Sequence, residues 1–173
     1  TLEDVNDDKN SNNLTNNNTV TFSTAQFSNG ANGSSSNTNK SLSIANRLSY
    51  AGGAYSISMW VKMSTEIGAG TADFIELVDG TTSETSLLIS YEYNGGTRRL
   101  NCGRLRAGTA FDGITYNQTL GTSSFHHIAL TYDASTVRLY FNGTDVGNVS
   151  SSGNGTGLTD GFSILTGRGA ANF

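Results

Sequence analysis

The chain has no proline, one cysteine and one tryptophan in 173 residues. Without proline no turn is set by a locked φ, so glycine, asparagine, aspartate and serine must make the turns. The lone Cys102 excludes an intrachain disulfide. A core of this size needs no such staple, so compartment is not decided by that absence. Charge is sparse too, at 14% of residues with a formal net charge of −4. That leaves no Lys/Arg excess to meet a phosphate backbone, and nucleic acid is not an expected partner. No apolar run is long enough to cross a bilayer, so no membrane span is expected. No signal peptide opens the chain, which is uninformative for a mature or trimmed form.

What fills the space is polar and turn-rich. Glycine reaches 21 residues, and Asn, Ser and Thr are abundant. N-x-S/T sequons fall at Asn13, Asn17, Asn32, Asn39, Asn117, Asn142, Asn148 and Asn154. Such a polar, low-charge composition favours an extracellular, cell-surface or virion-surface protein over a cytosolic enzyme. The length suits one domain over residues 1–173, with 1–18 as a polar entry segment.

The organising stretch is Phe125 to Gly143, FHHIALTYDASTVRLYFNG. His126, Ile128, Leu130 and Tyr132 alternate with their neighbours; after Asp133-Ala134-Ser135, Val137, Leu139 and Phe141 do the same. Period-2 patterns around an Asx/Ser turn read as a β-hairpin with one buried face. Asn142-Gly143 then supplies two successive residues able to take φ > 0. Further strands are expected at 19–23, 41–44, 55–63, 72–78, 85–93, 97–102, about 114–116, around 146–149 and at 162–165. Residues 29–39 and 150–161 read as Gly/Ser/Asn loops. No helical periodicity is visible, so the fold expected is all-β, a two-sheet antiparallel sandwich.

Candidate chemistry is thin. Paired carboxylates for glycoside hydrolysis must share a strand face, about 5 Å apart for retaining chemistry. Glu76 and Asp79 have opposite parity, so no catalytic residue is expected and the chain reads as non-enzymatic. His126 and His127 are adjacent, point to opposite faces and cannot share an ion, so both read as structural. Arg98, Arg99, Arg104 and Arg106 read as an ordinary solvated strand edge. Trp60 lies opposite Ile57, Met59 and Val61; the expected role is packing, with a sugar-stacking platform as the competing reading. Asp4, Asp7 and Asp8 with neighbouring asparagines make the one oxygen-rich cluster that could suit calcium.

Four segments carry a resemblance. FHHIALTYDASTVRLYFNG resembles the W-H-x-A-x-T-Y-D…x-L-Y-x-N-G hairpin of laminin-G-like, concanavalin A-type jelly-roll domains. YSISMWVKM at Tyr55 to Met63, QFSNGA at Gln26 to Ala31 and FSILTGRG at Phe162 to Gly169 are similar to its other strands, in family order. The resemblance implies a jelly-roll sandwich and a lectin-like recognition or cell-adhesion module that binds glycan or a surface protein. It also implies a structural calcium ion, with Asp7 and Asp8 as candidate ligands; a solvated acidic terminus is the competing reading. The closing G-x-I-D-E strand of the family is missing from the sequence. Either the natural protein is longer than these residues, or a strand arrives from another chain, by self-association or donation. The alternative function is a structural protein of a surface or viral assembly.

Overall fold

A computed structural model describes residues 13–17, 19–27, 29–32, 41–44, 54–79, 84–106, 110–151 and 162–166. In chain order the strands are β1 (Thr15–Asn17), β2 (Thr21–Thr24), β3 (Asn29–Asn32), β4 (Ser41–Ile44), β5 (Tyr55–Val61) and β6 (Gly70–Asp79). They continue as β7 (Glu84–Asn94), β8 (Thr97–Arg106), β9 (Ala110–Asn117), β10 (His126–Tyr132), β11 (Thr136–Phe141), β12 (Thr144–Ser150) and β13 (Phe162–Thr166). Among the described residues there is no helix, and so none long and apolar enough to cross a membrane.

Two antiparallel sheets face each other. One has seven strands in the order β1-β4-β13-β6-β7-β8-β9; the other has four, β12-β11-β10-β5. A separate β2–β3 ribbon lies beside them in the chain order. Period-2 alternation decides which residues meet. From β10 and β11, Ile128, Leu130, Tyr132, Val137, Leu139 and Phe141 turn inward, against Leu87, Ile89, Tyr91, Leu100, Cys102 and Ile114 of the larger sheet. Each fully buried leucine of this core contributes about 2 kcal/mol. Leu130 and Leu139 have no exposed surface, and Ile57 packs half-buried against them.

Turn chemistry is as the sequence demands. Asn142 and Gly143 both take positive φ, 49° and 83°, which joins β11 to β12. At the β10–β11 turn the Asp133 carboxylate accepts from Ser135 N, Ser135 Oγ and Thr136 N at 2.9, 2.7 and 2.8 Å. These donors hold its pKa below the usual carboxylate value. They also hold Ala134 at φ 74°, a conformation that a Cβ disfavours.

Four differences from the sequence reading have physical causes. First, β1 falls inside the expected polar entry segment and pairs with β4. The Asn16 amide closes on both backbone groups of Val20, accepting from its N at 2.7 Å and donating to its O at 2.9 Å. Asparagine is a poor strand former, which hid the element. Second, β3 occupies the start of the expected 29–39 loop, because pairing with β2 satisfies its backbone. Third, Arg104 is no solvated edge residue: it is fully buried, its guanidinium 4.0 Å above the Tyr132 ring. Arginine stacks on aromatic faces, so even-numbered positions of β8 take it into the core. Fourth, β6 carries an extra residue between Asp73 and Ile75. Phe74 and Ile75 both enter the core as a result, and the parity of β6 changes there.

The F-x-I strand, β13, is paired on both sides by the chain's own β4 and β6. Among the described residues the sheets end at β1 and β9 and at β12 and β5, so β5 is an edge strand on the side away from β10.

Candidate functional site

The outward face of the four-stranded sheet is built from the half of each alternation that points away from the core. β5 contributes Ser56, Ser58 and Trp60; β10 contributes His127, Ala129 and Thr131; β11 contributes Thr136, Arg138 and Tyr140. Register sets these in rows. Trp60 pairs with His127, Ser58 with Ala129 and Ser56 with Thr131. Ala129 pairs in turn with Tyr140, and Thr131 with Arg138. Directly paired residues share a face, so the rows run across three strands.

One end of this face is aromatic. Trp60 is 42% exposed and lies 5.1 Å from the His127 ring, while Phe27, 70% exposed at the tip of the β2–β3 ribbon, meets it edge-on at 5.6 Å. Burial would have gained most from turning these rings inward, so an open aromatic group on a polar face is a distinguishing feature. Trp60 does not serve core packing, as the sequence had led us to expect. Its parity places it with Ser56 and Ser58, on the side away from the core. Beyond the aromatic end the face is polar and electrically balanced, with Arg138 3.6 Å from Asp145.

A chain of hydrogen bonds ties the aromatic end to the core. Tyr91, fully buried, accepts from Leu120 N at 3.1 Å and donates to Glu66 at 2.9 Å. Burial pushes its phenol up to about 12; the Glu66 contact acts in the same direction, while the Leu120 N–H opposes it. Leu120 O faces His126 Nε2 at 2.5 Å, and His126 Nδ1 faces Asn142 Nδ2 at 3.3 Å. A carbonyl can only accept, so the Nε2 proton goes to Leu120 and Nδ1 accepts from Asn142. The Asn142 Oδ1 then accepts from His127 N at 2.9 Å. His126 also stacks on Phe141 at 5.2 Å. It is structural, as expected; its neighbour His127 is in the aromatic group.

The other candidates are dispersed. Arg98 turns inward to Glu66 at 2.9 Å, Arg99 outward to Glu92, and Arg104 is buried, so these three make no patch; the Arg106 side chain lies outside what is described. Cys102 is a buried apolar contact whose thiol burial pushes up to about 12. The Asp79 side chain lies outside what is described, but the extra residue at Phe74 brings Asp73 and Glu76 onto one outer face, paired with Ser90 and Leu88. Sequence spacing alone could not show this, because a bulge is invisible to parity. Asp73 has no exposed surface, which withholds it from a polymeric substrate. Asp7 and Asp8 lie outside the described residues. Among the described residues no group of three or more His, Cys, Asp or Glu side chains is placed to hold a metal ion.

With fold and face in view, the class follows. The chain belongs to the concanavalin A-like lectin/glucanase superfamily, whose laminin-G-type model matches residues 9–173. Among solved structures it is similar to domain 4 of an extracellular GH43 arabinanase from Geobacillus stearothermophilus, determined in complex with arabinotriose. The TM-score is 0.63 at 18% identity, covering 93% of this chain and 77% of that one. It is similar also to the Trypanosoma cruzi calreticulin globular domain, with a TM-score of 0.63 at 12% identity and coverage of 92% and 80%. Tailspike protein 2 of an Escherichia coli O157:H7 bacteriophage gives 0.64 at 15% identity; there the match covers 91% of this chain and 23% of the tailspike. At such identities the likeness defines the fold. No curated protein sequence matches the chain.

Trp60 was legible in the sequence as a choice between two roles, whereas Phe27 and Tyr140 stood there only within segments that carry the family resemblance, with no role of their own. Phe27 sits in no periodic run, and only the ribbon brings it to Trp60. Tyr140 reads in sequence as an unremarkable outward strand residue.

Proposed function

We propose that this chain is a non-enzymatic, extracellular recognition module that binds glycan on the outward face of its four-stranded sheet. The observation that carries the reading is Trp60, held open beside His127 and Phe27 on an otherwise polar surface. An aromatic ring offers its face to the C–H side of a sugar, and the surrounding hydroxyl, imidazole and amide groups meet the sugar hydroxyls. The arabinotriose in the related arabinanase domain is in keeping with this. On β6 the carboxylate that shares a face with Glu76 is Asp73, which is fully buried; this supports a non-catalytic role. Calcium enters only as a support held by Asp7 and Asp8. Chelation that lowers the melting temperature of the wild type, but not of an Asp7→Asn/Asp8→Asn variant, would establish it.

The test is a glycan array followed by calorimetry. Wild type binds at least one glycan class; Trp60→Ala, at an open position, keeps the melting temperature and loses binding at least tenfold, or about 1.4 kcal/mol. No binding across the array, or full binding by Trp60→Ala, refutes the reading. Release of reducing sugar from a β-glucan would refute its non-enzymatic half.

A second reading is favoured by the open edge of β5. YSISMWV has neither charge nor proline to guard that edge, which suits a strand from another copy in a surface or viral assembly. Light scattering that shows only monomer, with or without Ser58→Pro, would set it aside.

A further inference from the structure

We propose that the ligand is a linear, electrically neutral oligosaccharide that crosses the strands from Trp60 over Ala129 to Tyr140; this rests on the glycan reading above. Tyr140 lies two strands from Trp60 and two residues along, since Trp60 pairs with His127 while Ala129 pairs with Tyr140. With strands about 4.8 Å apart and about 3.3 Å per residue, the two rings are anchored roughly 12 Å from each other. A single sugar ring cannot touch both; a chain of several can.

The floor between the two aromatics is low. Ala129 is the smallest side chain on the face, flanked by Ser58 on β5. Larger residues stand around it, namely Trp60, His127, Thr131 and Tyr140. The result is a shallow trough running obliquely across β5, β10 and β11. Its polar lining of Ser58, Thr131 and the Tyr140 hydroxyl can donate to and accept from sugar hydroxyls. Its charge is balanced. Arg138 is matched by Asp145 at 3.6 Å, and Lys62 lies beyond Trp60 with its Nζ 5.7 Å from the Phe125 ring centre, so among the described residues no surplus cation lies between Trp60 and Tyr140 to repay the desolvation of a uronate or sialate.

The test uses the wild-type chain with linear arabino-, xylo-, gluco- and manno-oligosaccharides from the monosaccharide upward, read by calorimetry. Uronate oligomers serve as the charged comparison. Affinity for one neutral series rises with chain length. Tyr140→Ala abolishes that rise, lowering affinity for the longest member about tenfold while leaving the shortest unchanged. Ala129→Gln, which fills the trough at a half-buried outward position, gives the same loss with an unaltered melting temperature. Binding that ignores chain length, or that survives both substitutions, overturns the proposal while leaving Trp60 as a site for a single sugar. Preference for the uronate series overturns neutrality alone. No binding to any oligosaccharide overturns the proposal and the glycan reading together.

Discussion

Removing one oxygen, by Tyr91→Phe, should loosen the molecule from the core to the aromatic face. The ring itself stays: it is fully buried and stacks near-parallel on Phe74 at 6.5 Å, and phenylalanine fills the same space. What goes is an acceptor for Leu120 N at 3.1 Å and a donor to Glu66 at 2.9 Å. Leu120 is buried, so its orphaned N–H costs about 1–3 kcal/mol. Glu66 loses less, about 1 kcal/mol, because its side chain is partly exposed and Arg98 still pairs with it at 2.9 Å. The expected loss is about 2–4 kcal/mol, most of it from the amide. In urea, with a slope near 2 kcal/mol per molar, the midpoint falls by about 1–2 M.

Two further readouts are specific to this mechanism. The Leu120 amide should exchange with solvent much faster in the variant than in wild type. The alkaline limb of the stability profile should also change. In the folded chain the phenol is pushed from 10.0 to about 12, so its contribution is intact below pH 10 and is lost as pH rises through 12. Tyr91→Phe removes that dependence. A midpoint shift below about 0.2 M, with Leu120 exchange unchanged, would refute the assignment of the phenol as the amide's acceptor.

Other expectations follow from the hairpin and the core. Ala134→Gly, at φ 74°, relieves a strain of about 1–2 kcal/mol against about 0.5–1 of added chain entropy, so the variant should be more stable by about 0.5–1 kcal/mol in urea. Asp133 has its folded pKa lowered by the Ser135 and Thr136 donors, so its contribution is present above the unfolded carboxylate value and is lost as pH falls through the folded one. Asp133→Asn should flatten that acid limb; an unchanged limb would contradict the turn described. Cys102, with its thiol at about 12 and no exposed surface, should resist a thiol reagent at pH 8 until urea unfolds the chain. Prompt native labelling would show that the core opens there.

Much of the sandwich was readable because alternation is a local property. Ile128, Leu130, Tyr132, Val137, Leu139 and Phe141 announce a buried face by spacing alone, and all are core residues. Asn142-Gly143 announces its turn through two residues that tolerate positive φ. What spacing could not carry were events that shift or conceal a period. Phe74 enters as an extra residue and resets the parity of β6, uniting Asp73 and Glu76 on one face. Asn16 stands in for backbone toward Val20, so β1 hides in an asparagine run. Arg104 contradicts its own polarity by stacking on Tyr132, a partner far along the sequence on the opposite sheet.

The amino-acid order by itself determined that this chain forms antiparallel strands, where most of them lie, and which residues turn toward the core. It did so because side chains on a strand alternate between two sides and burial rewards one of them. Which outward residues become neighbours was decided only by tertiary structure. Phe27, Trp60, His127 and Tyr140 come from separate elements, and nothing local relates them. Cross-strand register and the placement of the β2–β3 ribbon bring them onto one open face.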